Sequence, residues 1–522
     1  MTPHPDLGND RSDLAALGDT TTAGRSPDPA GHRPEVNSAT LQADWLLPSA
    51  RADALEPGVE VRYDASGVLA VERRARRSGS TLIMPPFANA HDHGRGVKTM
   101  AYGAVDAPLE AWFPATFALP PVDPYLVAAA AFCRMVRSGI ASTVHCHLSR
   151  EPRSLLLEAQ AVSRAARDIG IRVAFVVPLR DRHRLGYASD ETILQLLAPA
   201  DAEAIRERLL RPIAPLDEQL AVVDEIAATC ESEQFQIQYG PVGVEWCSNE
   251  LLSRVAAAAN ASGRRVHMHL LESRYQRAWA DREYPQGVVR HLDDIGLLSP
   301  RLTVAHGTQL RPDECEILAT RGVVVSINTS SNLRLRSGIA PVQSMHEAGL
   351  KFAVGLDALA LDDDDDLLRE IRLLRLLHGG IGFQRGVPRE AVLEAACCHG
   401  PAAAGRPGAG EIAPGAVADL LLLDLEQKTL DLCEPLSDIA TMLHARATAA
   451  NVRTLVVAGR TVVDDGAVRG VDEAAIQAEL QAQLRAQAGP AAEFLPLLRR
   501  YQAALAEFYE PGSLATAGGA LA

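Results

Sequence analysis

The sequence has no excess of positive charge and no long apolar run. Its 51 Lys and Arg residues are outnumbered by 66 Asp and Glu residues, giving a formal net charge of −15 at pH 7. Nucleic-acid binding needs clustered Lys and Arg, so this balance argues against a nucleic-acid partner. No uncharged apolar stretch approaches the ~20 residues of a spanning helix, and the first residues lack the pattern of a signal peptide. We therefore expect a cytoplasmic protein without a membrane partner.

The sequence also lacks a paired cysteine motif. Its eight cysteines are scattered, and none of them forms a Cys-x-x-Cys pair. Zinc fingers need closely spaced cysteine pairs, and disulfide frameworks are typical of short secreted chains, so both are disfavoured here. Free thiols in a reducing cytoplasm are the simplest account. With 47% hydrophobic and 22% charged residues in 522, the chain has the composition of an ordinary globular protein with a large core.

A repeated histidine pattern is the most informative feature that is present. Six of the 15 histidines form three His-x-His pairs, each at the end of a short apolar run: His91/His93, His145/His147 and His267/His269. Residues i and i+2 of a strand point to the same face, so each pair presents two imidazoles to one side, as a metal ion requires. His306 and Asp357 also close apolar runs. The pattern indicates a metal-dependent hydrolase.

Strand and helix patterns alternate through the body of the chain. Stretches with apolar residues three and four apart separate the candidate strands, which are 81–84, 141–147, 172–179, 235–242, 265–270, 302–306, 322–327 and 352–356. Eight strands alternating with helices predict an α/β protein built on a (β/α)8 TIM barrel. The polar candidates all lie at the carboxyl ends of strands, which is the catalytic face of such a barrel.

The patterns on either side predict a small flanking β-sandwich domain built from both chain ends. Residues 1–40 are predicted to be disordered. The first part of the sandwich is predicted over 41–85, the barrel over 86–404 and the second part of the sandwich over 405–472. A C-terminal helical segment with a frayed tail is predicted over 473–522.

Several motifs in a fixed order resemble the amidohydrolase superfamily over residues 45–470. They are Met84 to His93, Val266 to Ser273, Val304 to Gly307, Ser326 to Pro341, Val354 to Asp357 and Ile412 to Leu420. The resemblance is nearest to the branch that holds cytosine, guanine and adenosylhomocysteine deaminases and the triazine hydrolases. It implies a TIM barrel with a flanking β-sandwich and a metal-activated hydrolysis.

The resemblance also implies the residues of the site. One divalent ion would be held by His91, His93, His269 and Asp357, a set that suits Zn²⁺, with Fe²⁺, Mn²⁺ or Co²⁺ as alternatives. Glu272 would take a proton from water and hand it to a leaving nitrogen. His306 would hold the nucleophile or polarise the substrate, and Asp357 would also accept a hydrogen bond from the attacking water.

The sequence departs from the pattern on the fourth barrel strand. Residues 240–246 contain neither the His that many relatives carry after a Pro nor a Lys for a binuclear centre, so we expect one metal ion. Glu245 bridging a second ion is the alternative. His267 is expected to pack behind the ligands, and Cys146 to point away from the pocket.

Four residues are candidates for substrate contacts. His145 and His147 are expected to line the pocket or to support it from behind. Arg95 and Trp112 lie in the long loop after the first His pair, where a cation and an aromatic ring would meet a flat conjugated substrate. The alternatives are an ion pair at the mouth for Arg95 and an anchor against the barrel rim for Trp112.

The predicted function is cleavage of a C–N bond, by deamination or by amide or amidine hydrolysis, in a small cyclic or conjugated nitrogenous substrate. One alternative is expulsion of chloride, an alkylamine or a thiolate from a triazine-, phenylurea- or thiocarbamate-like compound, since attack by activated water is common to both. A non-catalytic scaffold is a third hypothesis. The sequence is compatible with a homo-oligomer as well as with a monomer.

Overall fold

The computed structural model describes residues 38–52, 54–75, 79–149, 151–434 and 436–510. The predicted disordered segment therefore falls outside the described residues up to residue 37, and so does the predicted frayed tail from residue 511. The domain boundaries given above remain a prediction.

Sixteen strands and eighteen α-helices make up the described fold. The strands are β1 (Ala39–Leu46), β2 (Glu56–Asp64), β3 (Gly67–Arg73), β4 (Thr81–Met84), β5 (Phe87–Asp92), β6 (Ile140–Cys146), β7 (Arg172–Leu179), β8 (Phe235–Pro241), β9 (Val266–Leu270), β10 (Leu302–His306), β11 (Val324–Ile327), β12 (Lys351–Val354), β13 (Leu420–Asp424), β14 (Val452–Val457), β15 (Arg460–Asp464) and β16 (Ala467–Val468). The helices are α1 (Leu109–Ala115), α2 (Pro124–Arg137), α3 (Leu155–Ile169), α4 (Asp190–Leu194), α5 (Pro199–Leu209), α6 (Leu216–Cys230), α7 (Asn249–Ser262), α8 (Arg274–Glu283), α9 (Val288–Asp294), α10 (Pro312–Thr320), α11 (Thr329–Arg334), α12 (Val342–Glu347), α13 (Leu367–His378), α14 (Arg389–Glu394), α15 (Gly400–Ala403), α16 (Ile439–Arg446), α17 (Glu473–Ala486) and α18 (Ala488–Tyr509).

The eight strands β5 to β12 form one parallel sheet in sequence order, with helices in the connections. The sheet curls into a nearly closed barrel, and the backbone N–H of Asp357 after β12 donates to the carbonyl of His91 on β5 at 2.9 Å. Small side chains fill the interior between the strands, among them Ala90, Val144, Cys146 and Ala174. The predicted TIM barrel is confirmed.

Glycines end several of the helices that return the chain to the barrel. α3 and α7 end at Gly170 and Gly263, whose φ values of 95° and 74° lie in the left-handed region that residues with a side chain rarely adopt. A side chain caps the opposite end of α7, where the hydroxyl of Ser248 accepts from the backbone N–H of Leu251. The two glycines set the points at which the chain re-enters the barrel as β7 and β9.

The second sheet is assembled from both ends of the chain, as predicted. Its strand order is β16-β15-β14-β13-β4-β1-β2-β3, and β13 joins the halves by pairing antiparallel with β4. A small core of its own includes Val61, Tyr63, Ile83, Leu420 and Val456.

One of the eight predicted barrel strands is wrong. Residues Thr81–Met84 form β4 of the flanking sheet, and the first barrel strand is Phe87–Asp92. The two strands are separated by Pro85 and Pro86, which lack the N–H needed to continue a ladder of hydrogen bonds. An apolar run followed by His-x-His thus contains two strands that belong to different sheets.

The C-terminal segment is helical, as predicted, and α18 packs against the loop after β7. The hydroxyl of Tyr501 donates to the carbonyl of Leu185, and the hydroxyl of Tyr509 accepts from the N–H of Tyr187. None of the helices in the described ranges is both long and apolar enough to cross a membrane.

Candidate active site

The four predicted metal ligands meet at the carboxyl end of the barrel. Oδ1 of Asp357 lies 3.2 Å from Nε2 of His91 and 3.1 Å from Nε2 of His93. His269 joins them from β9, with one ring nitrogen of each histidine within 4.8 Å of the others. The structure therefore brings together side chains that are up to 266 positions apart in the sequence.

Hydrogen bonds at the far side of each ring aim the histidines inward. Nδ1 of His93 lies 2.8 Å from the carbonyl of Cys146, and Nδ1 of His269 lies 2.8 Å from the carbonyl of Val242. Nδ1 of His91 faces Nε2 of His267 at 2.9 Å. A ring that donates through Nδ1 presents an unprotonated Nε2, which is the atom that a metal ion binds. His267 thus lies behind His91, as expected.

The protonation states fit a cation. Burial holds the pKa of His91 well below its usual value and lowers that of His269 to about 3, so both imidazoles are neutral. Burial alone would raise the pKa of the Asp357 carboxyl, but its contacts with His91 and His93 hold it well below the usual range. Three imidazole nitrogens and one carboxylate oxygen are a suitable donor set for a divalent ion such as Zn²⁺.

Asp357 is held by several contacts that its sequence position does not reveal. Its φ is 55°, a left-handed conformation that is costly for a residue with a side chain, and Ser331 donates to its Oδ2 at 2.5 Å. Asp92 clamps the same turn, because its Oδ2 accepts from the N–H of Ala358 at 2.9 Å. Sequence analysis missed Ser331 and Asp92. Asp92 could have been noticed as the middle residue of a His-x-His pair, which points to the opposite side of the strand.

Glu272 and His306 lie beside this cluster. Oε2 of Glu272 is 3.5 Å from Nε2 of His306, and Nδ1 of His306 is 2.9 Å from Oδ1 of Asn332. Burial, followed by the charge of Asp357, raises the pKa of Glu272 well above its usual value. A raised pKa makes the ionised carboxylate a stronger base, which suits Glu272 to take up a proton and give it back.

The expectation that His145 and His147 line the pocket is wrong. The ring of His145 is stacked on Phe175 at 5.5 Å, and Nε2 of His147 lies 2.7 Å from Oε2 of Glu158 on α3. Both rings therefore face the helix layer outside the barrel. Cys146 points inward instead, with its Sγ 3.3 Å from Nδ1 of His91, which overturns its predicted orientation. Because successive side chains of a strand point to opposite faces, Cys146 and the two histidines cannot face the same side.

Trp112 is a buried anchor, so the alternative interpretation of this residue is favoured. It is 3% exposed within the main core, and its Nε1 donates to the carbonyl of Ala104. Phe113, the next residue on α1, faces the pocket beside the site. Arg95 contacts both Trp112 and the turn that holds Asp357. Its guanidinium lies 5.1 Å from the Trp112 ring, and its Nη1 lies 3.3 Å from the carbonyl of Asp357.

Glu245 is buried outside the cluster of ligand atoms in the described chain. Burial raises its pKa to about 8, and neither carboxyl oxygen has a hydrogen-bond partner among the described residues. The predicted alternative, in which it bridges a second ion, gains no support from this position.

The fold and the cluster define a barrel hydrolase with a histidine- and aspartate-lined centre, and comparison with known proteins agrees. The Amidohydrolase family matches residues 82–462. The chain belongs to this family, and the predicted class, a hydrolase acting on carbon–nitrogen bonds other than peptide bonds, is confirmed. The family and the ligand cluster support a divalent metal ion and a small-molecule substrate.

The similar proteins include deaminases that act on adenosine derivatives, by their names. The 5-methylthioadenosine/S-adenosylhomocysteine deaminase of Nitratidesulfovibrio vulgaris is 30% identical over 417 residues, which are 77% of this chain and 84% of that protein. The 5'-deoxyadenosine deaminase of Methanosarcina barkeri is 34% identical over 249 residues, 48% of this chain and 57% of that protein.

Solved structures share the fold. An adenosine deaminase from Xanthomonas campestris with bound zinc has a TM-score of 0.69 at 22% identity, covering 86% of this chain and 98% of that chain. The atrazine chlorohydrolase of Arthrobacter aurescens TC1 complexed with zinc has a TM-score of 0.66 at 19% identity, covering 84% and 98%. At these identities the likeness is one of fold alone.

Proposed function

We propose that this protein is a metal-dependent aminohydrolase that removes the exocyclic amino group from a nitrogenous ring, with a 6-aminopurine nucleoside as its substrate class. The observation that carries the proposal is the convergence of His91, His93, His269 and Asp357 beside the Glu272–His306 pair. The purine class is supported by the two similar deaminases described above, whose names both contain an adenosine derivative.

His91, His93, His269 and Asp357 would hold the ion, and zinc suits this donor set best. When bound, the ion supplies Lewis acidity that makes water a nucleophile near neutral pH. Iron, manganese and cobalt in the divalent state remain alternatives. We also propose a cytoplasmic location, with no nucleic-acid or membrane partner.

The protein's own residues move the proton. Glu272 takes a proton from the attacking water as the new C–O bond forms, and returns it to the amino nitrogen as the C–N bond breaks. The second proton of that water passes from the new hydroxyl to the adjacent ring nitrogen, so the products are a ring carbonyl beside an N–H, and ammonia, and the atoms balance. Asn332 fixes the ring of His306, whose Nε2 faces Glu272 and can accept a hydrogen bond from the protonated carboxyl.

An ammonia-release assay tests this proposal. The zinc-loaded protein is incubated with adenosine, 5'-deoxyadenosine, 5'-methylthioadenosine and S-adenosylhomocysteine, and separately with cytosine, guanine, a pterin and melamine. We expect ammonia from the adenosine group, with Glu272→Gln as the inactive control. Release from another ring alone, guanine included, would overturn the 6-aminopurine assignment. A chlorinated, N-alkylated triazine is assayed in parallel, and release of its chloride or alkylamine without deamination of any ring would favour the alternative leaving groups.

A further inference from the structure

The short helix α11 supports two of the proposed catalytic residues at once. Ser331 donates to Oδ2 of Asp357 at 2.5 Å, and Oδ1 of Asn332 lies 2.9 Å from Nδ1 of His306. Ser331 and Asn332 are both buried. They are neighbours on one helical turn, so the position of that turn sets the orientation of the carboxylate and of the imidazole together.

The residue that precedes α11 does not cap it. The first N–H groups of a helix have no partner within the helix, and the side chain of the N-cap residue usually accepts from one of them. Asn328 occupies that position, but its side chain forms no cap hydrogen bond. Its Nδ2 lies 3.3 Å from Nδ1 of His306 instead. The start of α11 therefore depends on an acceptor from another part of the fold.

Glu370 on α13 is that acceptor. Its Oε1 accepts from the backbone N–H of Ser330 at 2.9 Å, and its Oε2 accepts from the hydroxyl of the same serine. Ser330 is the second residue of α11 and lies directly before Ser331 and Asn332. One carboxyl group thus holds the turn from which both supporting side chains project.

The Glu370 carboxyl is bound to this turn rather than to a cation. It is 2% exposed and forms no ion pair within the described ranges. Burial raises its pKa to about 7, while the hydrogen bonds from Ser330 lower it. A buried carboxyl group that lost these donors would be costly, so the contact is kept. The start of α13 is itself anchored, because Asp366 accepts from the N–H groups of Arg369 and Ala449.

We propose that Glu370 is a positioning residue of the active site. By fixing Ser330 it holds α11 in the place from which the next two residues contact Asp357 and His306. Glu370 has no hydrogen bond or ion pair with either of those residues in the described chain, so it acts through α11. The inference rests on the proposed function, because Asp357 is a proposed metal ligand and His306 is the proposed partner of the proton carrier.

Zinc affinity and turnover of Glu370→Gln test this role. Gln is close to Glu in size, but its amide offers one acceptor oxygen instead of two, so one of the two donors of Ser330 loses its partner. We expect the zinc affinity, measured by competition with a chelator, to fall about tenfold, since residues that orient metal ligands typically contribute about 10–100-fold. At saturating zinc, kcat should fall about tenfold, whereas KM should stay within about twofold because no substrate contact is lost.

The absorption spectrum of the cobalt-loaded protein is a second measurement, and it needs no substrate. Cobalt(II) in place of zinc absorbs visible light in a way that depends on the arrangement of its ligands. We expect this spectrum to change in Glu370→Gln, because a displaced α11 would release the carboxylate of Asp357 from Ser331. A loss of stability alone would leave the spectrum of the folded protein as it is.

Two further variants separate position from stability. Asp366→Asn removes a buried carboxylate from the same helix, but its contacts are with Arg369 and Ala449 and not with α11. It should lower the melting temperature and keep the zinc affinity, the cobalt spectrum and kcat of the wild type. Ser330→Ala removes only the hydroxyl donor and should weaken zinc binding less than Glu370→Gln does. Combined, the two changes should be less than additive, because they act on one contact.

Wild-type zinc affinity, cobalt spectrum and kcat in Glu370→Gln, with only the melting temperature lowered, would overturn the proposal. An equal loss of zinc affinity in Asp366→Asn would also overturn it, because any weakening of α13 would then be sufficient. If Glu370→Gln does not fold, the same measurements on Ser330→Ala decide, and wild-type values there would overturn the proposal.

These results are separable from the proposed function. If zinc binding is weakened in Glu370→Gln as expected but the wild type deaminates no ring, the positioning role remains and the deaminase is wrong. If the wild type releases ammonia from adenosines and Glu370→Gln keeps its zinc affinity and kcat, the deaminase remains and the positioning role is wrong.

Discussion

Nε2 of His306 lies 3.5 Å from Oε2 of Glu272, and both side chains are buried at the carboxyl end of the barrel. The pair is set by neighbouring parallel strands, since His306 ends β10 at the level of Leu270 on β9, two residues before Glu272. Asn332 fixes the histidine from behind. The proton carrier and its partner are therefore in place next to the proposed metal ligands.

Replacing Glu272 by Gln should remove turnover and spare the metal. Gln keeps the size of the side chain but cannot accept and return a proton, and positioned proton transfer contributes about 10²–10⁴-fold to a rate. The measurement is kcat of the purified variant on the substrate found in the ammonia panel, with zinc content determined on the same sample. A fully loaded variant with a wild-type rate would exclude Glu272 from the mechanism.

Trp112 and Phe113 should respond in opposite ways to replacement by Ala. Trp112→Ala should lower the stability by about 3–5 kcal/mol, because it empties a buried core position. Phe113→Ala should cost less stability and raise KM, because the ring lines the pocket. Denaturant unfolding and steady-state kinetics on both variants check this. Normal stability of Trp112→Ala together with a raised KM would restore its assignment as a substrate contact.

Glu245 should make the stability depend on pH. Its pKa of about 8 in the folded protein exceeds the usual value of 4.5, so the protonated form favours folding. That contribution is complete below pH 4.5 and is lost as the pH rises towards 8. The melting temperature of Glu245→Gln, measured relative to that of the wild type, should therefore be higher at pH 9 than at pH 5. The same difference in melting temperature between variant and wild type at both pH values would contradict the raised pKa.

Much of the fold could be predicted from local patterns, because strand and helix periodicities and strand-end polar residues are visible in the sequence. Which face of a strand meets the barrel interior was not visible. The alternation rule puts His145 and His147 on one face, but only the packing of the ring of His145 against Phe175 shows that this face is the outer one.

Contacts between distant positions were also beyond local patterns. Ser331 touches Asp357 across 26 positions, and Tyr509 reaches Tyr187 across 322. On α1, the helical period separates Trp112 from Phe113 but does not say which of them faces the core. The convergence of the four proposed ligands could be predicted because each belongs to a short contiguous motif, whereas the supporting side chains come from separate loops.

Metal content measured together with activity tests the central claim most directly. Elemental analysis of the purified protein should find about one divalent ion per chain, the number that three imidazoles and a carboxylate satisfy. His91→Ala and Asp357→Ala should each lose most of that ion, whereas His147→Ala should retain it, and chelation should abolish an ammonia release that added zinc restores. Two tightly held ions per chain, or full metal and activity in His91→Ala, would contradict the account.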